Sequence, residues 1–168
     1  MSEVEMLDGQ PALAGFGVVD VAEVRKISGL EFLQGIRDCK FPAPTISRAM
    51  NMRLTEAEEG LVSFSATPGA DYLNPLGVVH GGFMATMLDS ALGCCVHTLC
   101  PAGFASTSID LKVNFVRPVT PDTGRLIATA KVVHPGRQIA TCEGRLVDEQ
   151  GKLYAHGSQA CSIFKLPE

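Results

Sequence analysis

Gly82-Phe83-Met84-Ala85-Thr86-Met87-Leu88-Asp89-Ser90-Ala91-Leu92-Gly93-Cys94-Cys95-Val96-His97-Thr98-Leu99 is the stretch on which the fold turns. At the helical period, Phe83, Met84, Met87, Leu88, Ala91, Leu92, Cys95 and Val96 cover most of the circumference. Gly82, Thr86, Asp89, Ser90, Gly93 and His97 form a narrow stripe of small and polar residues. A helix apolar nearly all round is one enclosed by other structure, as inside a curved sheet. The stripe is too closely flanked by apolar residues for a solvated face, which points to a closely packed second copy of the chain.

Strand-like segments follow on the C-terminal side. They are read at about Phe104 to Pro118, Gly124 to His134, Arg137 to Asp148 and Leu153 to Phe164. Pro121-Asp122-Thr123-Gly124, His134-Pro135-Gly136 and Asp148-Glu149-Gln150-Gly151 separate them with turn chemistry. On the N-terminal side, Val21, Val24, Ile27, Leu30, Leu33 and Ile36 recur at helical spacing up to about Cys39, with a break near Ser28-Gly29. Phe41-Pro42-Ala43-Pro44 reads as a linker. Two strands, Ser47 to Glu56 and Gly60 to Thr67, complete the reading. One long helix among consecutive strands is an α+β pattern with an antiparallel sheet wrapped around the helix, not a series of βαβ units.

The 168 residues, 46% of them hydrophobic, suit one domain with an N-terminal extension, divided here at residues 1–45 and 46–168. A net charge of −4 with scattered Lys and Arg argues against a nucleic-acid or membrane-surface partner. The acidic Met1-Ser2-Glu3-Val4-Glu5-Met6 start has no signal pattern, and the apolar run from Phe83 to Val96 is short for a bilayer, so a soluble, cytoplasmic protein is expected. Cys39, Cys94, Cys95, Cys100, Cys142 and Cys161 lack metal-ligand spacing and read as free thiols. No metal is expected.

Immediately before the helix lies Asn74-Pro75-Leu76-Gly77-Val78-Val79-His80-Gly81-Gly82. Glycines entering a helix expose N–H groups without intrahelical acceptors, and the helix dipole adds positive potential there. That arrangement suits a carbonyl oxygen. Asp89, an acid on an apolar helix, needs either a hydrogen bond or a use. Eight residues separate Gly81 from Asp89, about 12 Å along a helix. If both act on one carbonyl, they come from different subunits related by a two-fold axis.

Asn74-x-x-Gly77-x-x-His80-Gly81-Gly82, Asp89 on the following helix and Ser108-x-Asp110 in the next strand together resemble the PaaI-like group of hotdog-fold thioesterases. The resemblance runs from about Met52 to Phe164, and the helix from Ser28 to Asp38 resembles the N-terminal extension of some members. It implies hydrolysis of an acyl-coenzyme A by a homodimer, often a dimer of dimers, without a cofactor. Carried onto this sequence, the Gly81 amide polarises the thioester carbonyl, with Gly82 beside the substrate, and His80 supports the loop. Asp89 is the nucleophile or the general base, Asn74 orients carbonyl or water, and Ser108 positions the water. Leu73, Phe83 and Met87 are candidates to line the acyl pocket, and Lys112, Arg117 and Arg137 to contact coenzyme A phosphates. A hotdog dehydratase or hydratase acting on a 3-hydroxyacyl thioester and a non-catalytic acyl-CoA-binding module are the alternatives.

Overall fold

In a computed structural model, residues 15–167 are described, together with the backbone pairing of strand β1 (Met6–Leu7) with β2 (Gln10–Pro11). Three helices follow: α1 (Val21–Val24), α2 (Gly29–Arg37) and α3 (Thr45–Ala49). Next come β3 (Met52–Glu58), β4 (Leu61–Ala66), the long α4 (Gly81–His97), β5 (Phe104–Ser108), β6 (Lys112–Phe115), β7 (Leu126–His134), β8 (Ile139–Asp148) and β9 (Leu153–Lys165).

The expected break in the first helix falls at Ser28. Its side chain accepts from the Glu31 amide while the Glu31 carboxylate accepts from the Ser28 amide, closing a capping box that starts α2. The strand expected from Ser47 begins instead at Met52, because Thr45–Ala49 is helical. Pro44 at the N-cap supplies a fixed φ suited to a helix start, and Asn51 at φ 46° turns the chain into β3.

The seven-stranded antiparallel sheet has the order β3-β4-β7-β8-β9-β5, with β6 also paired to β9. Thus β5 and β6 share one edge. The segment expected as one strand from Phe104 to Pro118 is divided. Ser108 pairs with Cys161 and Lys112 with Ser158, so the edge uses one residue more than its partner across this gap. Asp110 holds the detour by accepting from the Ala160 amide at 2.9 Å.

The sheet curls around α4, the hotdog arrangement. All eight apolar α4 residues read as enclosed are buried. The inner sheet face is lined by small residues, including Ala128, Ala130, Ala140 and Ala155, which lets the helix approach closely. At Gly144 an added Cβ would sit 3.2 Å from the Leu92 side chain, so even one methyl would crowd the contact. The Leu33 and Ile36 side chains of α2 join the same core. Among the described residues, no helix is long and apolar enough to cross a membrane.

Candidate active site

The sequence motif folds into a helix entrance. His80 is the N-cap of α4; its Nδ1 accepts from the Gly82 amide at 2.8 Å, and its own amide donates to the Tyr72 carbonyl at 2.7 Å. The ring therefore satisfies one of the first-turn amides itself. The Gly81 amide has no acceptor among the described residues. The Phe115 ring of β6 lies beside it, 3.3 Å from where a Gly81 Cβ would stand, so any side chain here would press on that ring.

Asn74 shapes the loop that leads in. Its Oδ1 accepts from the Leu76 amide at 2.9 Å and the Val78 amide at 3.3 Å, an Asx-type turn that leaves its Nδ2 group unpartnered among the described residues. Leu73 is partly open on the same loop. Phe83 and Met87 are not: both are buried in the core, and the Phe83 ring packs on Tyr72 with centroids 4.7 Å apart.

Two turns along α4, Asp89 is exposed and held from one side. Ser108 Oγ donates to Asp89 Oδ1 at 3.2 Å, and Gln159 Nε2 donates to the same oxygen at 2.5 Å and to Ser108 Oγ at 3.0 Å. Gln159, only 2% exposed, had no place in the sequence reading. Its signal was its position in β9, where alternate residues Gly157, Gln159 and Cys161 all face inward and a carboxamide there must find a partner. Asp89 Oδ2 carries no protein hydrogen bond among the described residues. This is an anchored carboxylate with one oxygen open to solvent.

One chain thus assembles two separate clusters. Asn74, His80, Gly81 and Gly82 lie at the start of α4, and Asp89, Ser108 and Gln159 near its middle.

The expected phosphate contacts are dispersed. Arg117 is turned onto the Leu153 carbonyl, with its guanidinium 6.0 Å from the Tyr154 ring centre. Lys112 and Asn114 pair with Ser158 and His156 on the sheet face opposite α4, so Lys112 does not face Asp89 within the chain. Arg137 is exposed in the β7–β8 turn. Burial pushes the Cys94 and Cys95 thiols up to about 12, which keeps both protonated and unreactive. No group of three or more possible metal ligands occurs among the described residues.

Residues 76–155 match the thioesterase superfamily. Bovine acyl-coenzyme A thioesterase THEM4 is 38% identical to this chain over 98 residues, 57% of this chain and 37% of the bovine protein. The chain therefore spans well under half the length of that relative. Escherichia coli acyl-coenzyme A thioesterase PaaI is 28% identical over 110 residues, 65% of this chain and 75% of that protein. The E. coli PaaI structure superimposes with a TM-score of 0.64 at 25% identity, covering 73% of this chain and 85% of that one. A thioesterase family protein from Silicibacter pomeroyi gives a TM-score of 0.70 at 23% identity, covering 80% and 99%.

Proposed function

We propose that the protein is an acyl-CoA thioesterase that hydrolyses an acyl-coenzyme A to the free acid and coenzyme A. The observation that carries this reading is the pairing on α4 of a Gly81 amide without an acceptor among the described residues with an anchored, half-open carboxylate at Asp89. The first can stabilise charge on a carbonyl oxygen, and the second can supply a base or nucleophile. The match of residues 76–155 to the thioesterase superfamily and the names of the similar proteins support the same reaction.

The active unit is a dimer in which Gly81 of one subunit and Asp89 of the other face one thioester. About 12 Å of helix separates the two residues within a chain, too far for both to act on one carbonyl. Leu76, Phe115 and Val116 leave apolar surface exposed on the entrance loop and the free β6 edge, which suits a two-fold contact there.

In the general-base form, Asp89 removes a proton from water as the water oxygen bonds to the thioester carbon. The oxyanion forms against the Gly81 amide, the C–S bond then breaks, and the departing coenzyme A sulfur takes the proton. In the nucleophilic form, Asp89 attacks the carbon, expels the thiolate and leaves an anhydride that water opens. Ser108 and Gln159 fix the Asp89 oxygen in either case, and the Asn74 Nδ2 group is available to water or carbonyl. Arg137 and Lys112 are the cations left to meet coenzyme A phosphates across the dimer, since Arg117 is occupied.

The test is release of free coenzyme A thiol from aryl, short-chain and long-chain acyl-CoAs by the wild type and by Asp89→Asn. Release by the wild type, with kcat lowered about a hundredfold or more in the variant, is the expected result. Equal rates in both proteins overturn the role of Asp89, and no release from any substrate overturns the activity.

A further inference from the structure

Beside Asp89, a cavity of about 440 Å³ opens between α4, β5 and the N-terminal part of the chain. Gly93, Cys94 and His97 of α4 form its floor, and Ser106, Thr107 and Ser108 one side. The opposite wall is Val18, Val19, Phe32, Leu33, Ile36 and the neighbouring prolines, none of which lies in the region matched to the family. The lower half of the small-residue stripe on α4 is therefore faced by the chain's own N-terminal segment.

We propose that this cavity takes an apolar acyl chain of medium length, and that Val18, Val19 and α2 determine which chains fit. The proposal rests on the thioesterase reading and adds its substrate class. Continuity is the first argument. Ser108 both lines the cavity and donates to Asp89, so a carbonyl carbon placed at Asp89 has its substituent directed along this space. Length is the second. From Asp89 to His97 is eight helical residues, about 12 Å, which matches an extended chain of roughly eight to ten carbons.

The far end supplies the third argument. His97 Nδ1 lies 3.3 Å from Ser106 Oγ, and Phe32 packs edge-on against the imidazole with ring centres 6.2 Å apart. Burial holds the imidazole below its ordinary value, so this end wall is neutral. Among the described residues, no Lys or Arg lines the cavity to balance a carboxylate at the end of an acyl chain. A methyl-terminated chain can enter, whereas a dicarboxylic acyl group would bury an unpaired charge.

Gly93 keeps the passage open. A Cβ there would lie 3.7 Å from Gln159 Oε1 and 3.8 Å from Ser108 Oγ, in ordinary contact, so a larger side chain can be accepted but must project into the mouth.

Gly93→Leu narrows the cavity from the helix, and Val19→Trp fills it from a position outside the helices and strands. Coenzyme A release from acetyl-, hexanoyl-, decanoyl- and glutaryl-CoA, and binding of free decanoate by calorimetry, are measured for wild type and both variants. In the wild type, kcat/KM is expected to rise with length by up to about fourfold per buried methylene, with glutaryl-CoA below hexanoyl-CoA. Each variant should lower the decanoyl-to-acetyl ratio of kcat/KM at least tenfold and weaken decanoate binding at least tenfold. Unchanged ratios with equal decanoate binding in all three proteins overturn the chamber while leaving the hydrolase standing. Decanoate binding that the variants abolish, in a protein that releases no coenzyme A, supports the chamber and overturns the hydrolase.

Discussion

Gln159 and Asp89 are joined by a 2.5 Å hydrogen bond between Nε2 and Oδ1, linking the inner face of β9 to the exposed side of α4. Because Gln159 also donates to Ser108 Oγ, one buried carboxamide fixes both polar groups that border the Asp89 carboxylate.

Gln159→Leu keeps the bulk but removes both donors. It is expected to lower kcat for coenzyme A release about tenfold, with KM within about twofold, because the loss falls on the geometry of the reacting group. Gln159→Glu keeps the shape and places a second carboxyl against Asp89. It should lose more than Gln159→Leu at pH 7; wild-type kcat in both variants would mean that Gln159 acts through shape alone.

The dimer reading is checked by mixing two damaged proteins. Asp89→Asn lacks the carboxylate, and Gly81→Val places a side chain against the Phe115 ring and displaces the amide. Each alone should be nearly inactive. After unfolding and refolding together, hybrid dimers contain one intact site each, restoring about one quarter of wild-type activity. No recovery in a mixture shown by native mass spectrometry to contain hybrids would place each site within one chain.

Acid stability should fall in two stages. Burial holds His97 below 6.5, so the unfolded chain takes up this proton first; the stabilisation is present above pH 6.5 and is lost as pH falls through the folded value. Burial pushes Asp148 up, but the Lys152 amide, Tyr154 hydroxyl and Gln150 amide outweigh it and hold the carboxyl below 3.8. Its contribution is present above pH 3.8 and disappears on falling through the lower folded value. Thermal unfolding followed from pH 7.5 down to pH 3 should show both losses. His97→Gln should flatten the upper stage alone and Asp148→Asn the lower; unchanged slopes would remove these groups from the acid response.

The enclosed helix was legible because eight apolar residues at one period leave it little choice of environment. Ser28 was equally plain, since a capping residue breaks a helical pattern by its own chemistry. By contrast, α3 is only five residues long, and neither period can be recognised over so short a run. The Asn74–Gly82 motif located a helix entrance but not the Asx turn by which Asn74 spends its oxygen on its own loop. Gln159 and the cavity escaped for a different reason. Each is made by segments far apart in the chain, α4 with β9 in one case and Val18–Val19 with α2, α4 and β5 in the other, and no local pattern records which distant strand or loop will arrive.

The extra residue between Ser108 and Lys112 changes which way a single sheet edge looks. Side chains along an unbroken strand alternate, so Ser108 and Phe115, seven positions apart, would point to opposite faces. With one residue inserted, Ser108 reaches Asp89 and Phe115 lies against Gly81, both on the α4 side. The detour resets the phase of the edge midway, and one length of chain thereby serves both ends of the helix.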